Sequence, residues 1–269
     1  MKPNSLRTRG VVFAFLFGPP RVLTREDGVA VSERVCKALG VDDLTFKYGM
    51  PPGVIEADLR PGAKELARPF SIQMERRMGA GQFSVTLDSL GMNNPIRLLV
   101  QYTWPPSPEH AYQDFDSASE AAFGALGGNF QKILAETRIR SQVEAQGGNA
   151  ISFLTERTLR LSPSGLANLE APPNYVALVL ETPPGDPTEV DQLHQPKREI
   201  HVEVLREDPR SVYIELVSQW AQLAVAPGRQ VDLSPQRIRQ FEGSPSEYLR
   251  NSMEYMTDML LPLFSAPQS

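Results

Sequence analysis

Hydrophobic positions change their period along this chain, and each change marks an element. Residues 11–17 form an unbroken apolar run closed by Gly18-Pro19-Pro20, which predicts a buried strand. Over residues 30–39, Val31, Val35, Ala38 and Leu39 fall on one face at helical spacing, and Gly40 is the expected stop. A short strand over residues 44–48 follows, then a Pro- and Gly-punctuated connection over 51–69.

At Phe70 the period becomes two. Phe70, Ile72 and Met74 alternate with Ser71, Gln73 and Glu75, and the alternation resumes after Gly79-Ala80-Gly81-Gln82 at Phe83, Val85 and Leu87, which predicts a hairpin with one buried face. Residues 96–104 predict a further strand, bounded by Asn93-Asn94-Pro95 and Pro105-Pro106. Residues 114–146 give the longest helical expectation, with Phe115, Ala122, Leu126, Phe130 and Ile133 near a 3.6-residue period. Gly127-Gly128 stands as a break point inside it, and Gly147-Gly148 ends it.

Strands are predicted over 151–161, 175–181, 199–205 and 212–220. Ser234-Pro235 and Ser244-Pro245 each read as an N-cap followed by proline at the first helical position. The second of these opens a helix over 246–264 with an apolar stripe of Leu249, Met253, Met256, Leu260 and Leu263.

These elements define an α+β protein: antiparallel sheet with a long central helix and C-terminal helices packed on one side. Two blocks share an order of strands, a tryptophan-ended strand (Trp104, Trp220), a Pro-containing loop and a helix. The expectation is two similar β-then-α halves, 1–147 and 148–269, or one continuous domain of the same order; duplication competes with the coincidence of a common topology.

Composition narrows the class. The chain has 269 residues, 41% hydrophobic and 22% charged, which is ordinary globular usage. Its net charge of −5 argues against nucleic-acid binding through phosphate neutralisation. A lone Cys36 cannot form an intramolecular disulfide, so the expected location is a reducing, bacterial-type cytoplasm. Lys2, Arg7 and Arg9 before the first apolar run mimic a secretory leader, but no small-x-small cleavage site follows, and an exported protein is not expected. No stretch approaches the roughly 20 apolar residues that span a bilayer.

Motifs for metal and phosphate are missing from the sequence pattern. His110, His194 and His201 lack ligand spacing, and Cys36 lies on the apolar face of its helix without a nucleophile's partner. Gly79-Ala80-Gly81 leads into a strand, so no helix N-terminus follows to hold a phosphate; Gly124, Gly127 and Gly128 have no preceding strand. No cofactor is expected.

Strand register supplies one polar cluster. Matching Ile200, Val202 and Val204 with Leu216, Ile214 and Val212 sets His201 opposite Glu215 and Glu203 opposite Tyr213 on the other face. A carboxylate beside an imidazole is the material of acid–base chemistry; the competing reading is a solvated, charge-paired sheet face. The arginine pairs Arg138/Arg140, Arg157/Arg160 and Arg237/Arg239 read as surface ion pairing. Tyr102, Trp104 and Tyr112 around Pro105-Pro106-Ser107-Pro108 offer an aromatic contact surface, against the reading of a loop capping the sheet.

The leading functional expectation is a non-catalytic binding or interaction protein, acting with a protein partner or by self-association. One alternative is a hydrolase-like acid–base enzyme using His201 with Glu203, Glu215 or Tyr213. Another is an RNA-binding module, which needs exposed aromatics beside arginine or lysine, whereas alternation puts Phe70 and Phe83 on the core face.

Overall fold

The structure, a computed structural model, describes residues 5–19, 21, 23–49, 70–89, 95–127, 130–159, 173–183, 195–221 and 243–264. Strand β1, Arg7–Gly18, is followed by helix α1, Arg25–Leu39. Thr24 and Asp27 cap that helix reciprocally, and Gly40 ends it at φ 64°. Four strands come next: β2 Thr45–Gly49, β3 Phe70–Met78, β4 Gly81–Ser89 and β5 Ile96–Thr103. Helix α2, Pro108–Leu126, starts on a Ser107 cap with proline in its first turn, where the missing N–H costs nothing.

The second half begins with β6, Gln131–Glu144. A short helix α3, Ala150–Ser152, continues as π-helical turns over Phe153–Thr158. Strands β7 Ala177–Thr182, β8 Lys197–Val204 and β9 Ser211–Ala221 follow. Helix α4, Pro245–Glu254, opens on a Ser244/Glu247 capping box and runs on through π-helical turns to Leu263.

The nine strands of the described residues pair antiparallel in one sheet, in the order β2-β3-β4-β5-β1-β6-β9-β8-β7. The central pair is β1 with β6, and meanders lead from it to both edges. Each side of the centre repeats one order: a central strand, a helix, a meander returning from the edge, and a helix. Strands from before and after Gly147 therefore share one hydrogen-bonded sheet.

Register shows which face is covered. Val11 lies between Tyr102 and Ile139, and Phe13 between Val100 and Thr137, so the buried residues of successive strands align. On that face Phe13, Phe15 and Phe17 meet Val31 and Val35 of α1, Phe115 of α2 and Tyr248 of α4 in one core cluster. A second cluster joins Ile139, Ile214 and Leu216 to Phe153, Met256 and Leu260. The four helices of the described residues pack on the same side of the sheet, each buried aromatic contributing roughly 1.5–3 kcal/mol.

Two expected elements are corrected. The helix predicted over 114–146 starts earlier, at Pro108, and stops at Leu126, where Gly127 takes φ 64°; the remainder is the central strand β6. Its buried residues Ala135, Thr137, Ile139, Ser141 and Val143 alternate strictly. Two of them are hydroxyls, which hides the period of two from hydropathy. The predicted strand over 151–161 is instead helical: Asn149 caps Ser152, and the adjacent pair Phe153 and Leu154 is buried together, as alternation forbids. The connection over 51–69 and Ser234-Pro235 lie outside the described residues.

Candidate functional site

The predicted β8–β9 register is the observed one: His201 stands opposite Glu215 and Glu203 opposite Tyr213 on the face away from the described helices. Their partners differ from the expected pair. His201 Nε2 lies 2.5 Å from Glu199 Oε1, along its own strand. Glu215 instead accepts a hydrogen bond of 2.9 Å from Arg140 Nε, with Arg138 Nε at 3.6 Å. Arg138 also lies 3.6 Å from Glu136, which accepts 2.7 Å from Gln219 Nε2.

This lattice follows from β6. Once residues 131–144 are a strand, Glu136, Arg138 and Arg140 all point to the face away from the described helices, beside β9. Glu215 is thereby engaged by two guanidinium groups and not by His201. The His201 and Glu199 side chains are 36% and 43% exposed, so solvent screens their pairing. Burial, and then Glu215, pushes the Tyr213 hydroxyl up, with Arg140 opposing.

The aromatic set divides differently. Tyr102 is only 2% exposed and Tyr112 7%, so both are core residues and not surface anchors. The Tyr102 hydroxyl donates to Asp114 Oδ2 at 2.8 Å, and burial followed by Asp114 pushes its pKa far up. Burial, then Glu109, pushes Tyr112 up to about 12. Trp104 alone of the three is presented to solvent, at 41%.

Trp104 sits at the end of β5 with φ 52°, the left-handed region that disfavours bulky side chains. Its N–H donates to the Arg9 carbonyl at 2.8 Å. The Arg9 guanidinium lies 5.0 Å from the centre of the indole, in cation–π range. Opposite, Gly81 supplies the space, since a Cβ there would lie 2.6 Å from the Trp104 carbonyl oxygen.

Arg9 joins the two predicted sets. Its Nη1 pairs with Glu207 at 3.1 Å, in the turn between β8 and β9, and its charge acts on the Tyr213 hydroxyl. Beside Glu207, the Arg206 guanidinium lies 4.9 Å over the Tyr175 ring, and the Tyr175 hydroxyl donates to Glu203. That bond to Glu203 is the leading cause of a raised Tyr175 pKa. Trp104, Arg9, Glu207, Arg206, Tyr175 and Glu203 thus form a continuous rim at one end of the sheet. Tyr175, Arg206 and Glu207 were not singled out in the sequence, and Arg9 was noted only within a leader-like basic start; the available signal was aromatic and arginine residues flanking predicted strands.

Other candidates resolve into structure. The Cys36 thiol is half-buried and pushed up by burial, then by Asp42 and Asp43, the reverse of an activated nucleophile. His110 Nε2 lies 3.5 Å from Asp114 on the next turn of α2. His194, Arg160, Arg237 and Arg239 lie outside the described residues. Among the described residues, no three His, Cys, Asp or Glu side chains gather to hold a metal, and no helix is long and apolar enough to cross a membrane. Gly79, at φ 59°, makes the β3–β4 turn. A cleft of about 470 Å³ between α2 and α4 carries Glu109, Asp116, Arg250 and Glu254, and there Asp116 accepts from the Ser246 N–H at 2.8 Å.

No protein-family description matches this chain, and no curated protein matches it in sequence.

Proposed function

We propose that the chain is a non-catalytic protein-interaction protein whose contact surface is the arginine and aromatic rim around Trp104. The observation that carries this reading is Trp104 itself. An indole held at positive φ costs on the order of 1 kcal/mol over glycine at the same place, and its 41% exposure forgoes part of the gain of burial. A partner that covers the ring recovers that gain. Tryptophan, tyrosine and arginine are also the side chains that dominate binding energy at protein interfaces. The cation–π contacts of Arg9 and Arg206 hold the Trp104 and Tyr175 rings in place before any partner arrives, which lowers the entropy cost of binding.

The acid–base reading has less support, because Glu215 is engaged by Arg138 and Arg140 and the His201–Glu199 pair is solvated. Single-stranded RNA is the second reading: two exposed aromatics beside arginine are what base stacking needs. Glu203 and Glu207 within the rim oppose phosphate. We place the protein in the cytoplasm, where its single cysteine needs no oxidising partner.

Native mass spectrometry of protein isolated gently from its source tests the reading. Wild type carries a protein partner in fixed stoichiometry, and Trp104→Ala, with unchanged thermal midpoint, loses it. A Trp104→Ala complex as abundant as wild type contradicts the proposal, and a bound oligonucleotide transfers the surface to the RNA reading.

A further inference from the structure

We propose that β7 pairs edge to edge with β7 of a second copy of this chain, joining two sheets about a twofold axis at Val179. Among the described residues, no strand lies beyond β7. The Val204 N–H donates to the Val176 carbonyl at 3.1 Å, which fixes the alternation of the antiparallel ladder. Val176, Leu178 and Leu180 direct their backbone groups to β8, and Ala177, Val179 and Glu181 direct theirs outward. Three residues therefore present donors and acceptors along this edge that no described strand pairs.

Among the described residues, the strand carries little of what blunts natural sheet edges. From Ala177 to Thr182 the strand has no lysine, arginine or proline, and Val179 is 56% exposed. Its one charge, Glu181, is paired with Lys197. The opposite edge, β2, carries Lys47 and ends at Gly49.

The strand is complementary to itself in one register. An axis at Val179 sets Val179 against its own copy, Ala177 against the second copy's Glu181, and Leu178 against the second copy's Leu180. All outward backbone groups of Ala177, Val179 and Glu181 then find partners in one another. An axis at Leu180 sets Ala177 against Pro183, which has no N–H; an axis at Leu178 sets Glu181 against Tyr175, before the strand begins. An axis at Glu181 opposes two carboxylates, and any axis between residues faces one copy's core side with the other's open side. In the register proposed, Leu178 and Leu180, which pack on the edge of the second core cluster, extend that core across the axis.

Sedimentation velocity of the full chain over a dilution series tests this. Wild type sediments as a dimer that dissociates on dilution. Val179→Lys, at an exposed side chain, places two like charges on the axis and weakens dimerisation at least tenfold, whereas Lys47→Glu on the other edge leaves it unchanged. Val179→Cys in a Cys36→Ser background forms an oxidised cross-linked dimer, because narrow antiparallel pairs hold their Cα atoms about 5.5 Å apart. A wild type that stays monomeric throughout, or a dimer indifferent to Val179→Lys, overturns the proposal. Trp104→Ala leaves the dimer intact, so the two surfaces stand or fall separately.

Discussion

Gly81 and Trp104 are fitted to each other across the β4–β5 pair: a Cβ at residue 81 would stand 2.6 Å from the Trp104 carbonyl oxygen, and closer still to that of Thr103. Backbone, not a flexible side chain, occupies the space. Gly81→Ala is expected to destabilise the protein by about 2 kcal/mol or more through this clash. Trp104→Gly removes the positive-φ cost and is expected to stay within about 1 kcal/mol of wild type. Denaturant midpoints of the two variants check the contrast.

A second prediction concerns the seam between β6 and α4. Thr137 Oγ1 and Ser252 Oγ share a fully buried hydrogen bond of 2.6 Å. Thr137→Val strands the serine hydroxyl in the core and is expected to cost about 1–3 kcal/mol. Adding Ser252→Ala removes the stranded group and is expected to restore part of the loss. A double-mutant cycle by urea denaturation reads the coupling; additive losses would show that the bond contributes nothing.

Acid stability should respond to the cap of α1. Burial alone would raise the Asp27 pKa, but the Thr24 N–H and the Arg21 guanidinium outweigh it and hold the carboxyl below its ordinary value. A depressed folded pKa contributes stability that is complete above the unfolded value near 4 and is lost as pH falls through the folded one. Asp27→Asn is expected to cost about 1 kcal/mol at neutral pH. Its deficit relative to wild type should shrink below about pH 4, as thermal midpoints across pH 2–7 would record.

At high pH the sign reverses. Burial, then Glu109, takes Tyr112 up to about 12, and burial, then Glu247, does the same for Tyr248. A phenol whose folded pKa is raised stays protonated in the fold after the unfolded chain has ionised, so stability falls as pH rises from about 10 toward 12. Tyr248→Phe is expected to flatten that decline. Chemical denaturation at pH 9 and 11 measures it, and an equal slope in the variant would count against the assignment.

How much was legible in the sequence depended on whether the buried face was apolar. The β3–β4 hairpin and the β8–β9 register were readable because Ile72, Met74, Val85 and Leu87, and Ile200, Val202, Ile214 and Leu216, occupy every second position. β6 was not, because Thr137 and Ser141 hold buried positions normally marked by carbon side chains. Missing that strand hid the pairing of Arg138 and Arg140 with Glu215. Tyr102 was readable as core, since alternation aligns it with Leu98 and Val100, yet its position beside Trp104 suggested a surface. The bridge from Arg9 to Trp104 and Glu207 joins distant parts of the chain through the central strand order, which local periodicity does not encode.

Site-specific photo-cross-linking tests the central claim most directly. A photoreactive phenylalanine analogue replaces Trp104 in the source cells, and a control chain carries it at Val29, an exposed position on α1. A contact surface at Trp104 gives one discrete protein adduct from position 104, absent from position 29. No adduct at 104, or the same adducts from both positions, would contradict an interaction surface centred on Trp104.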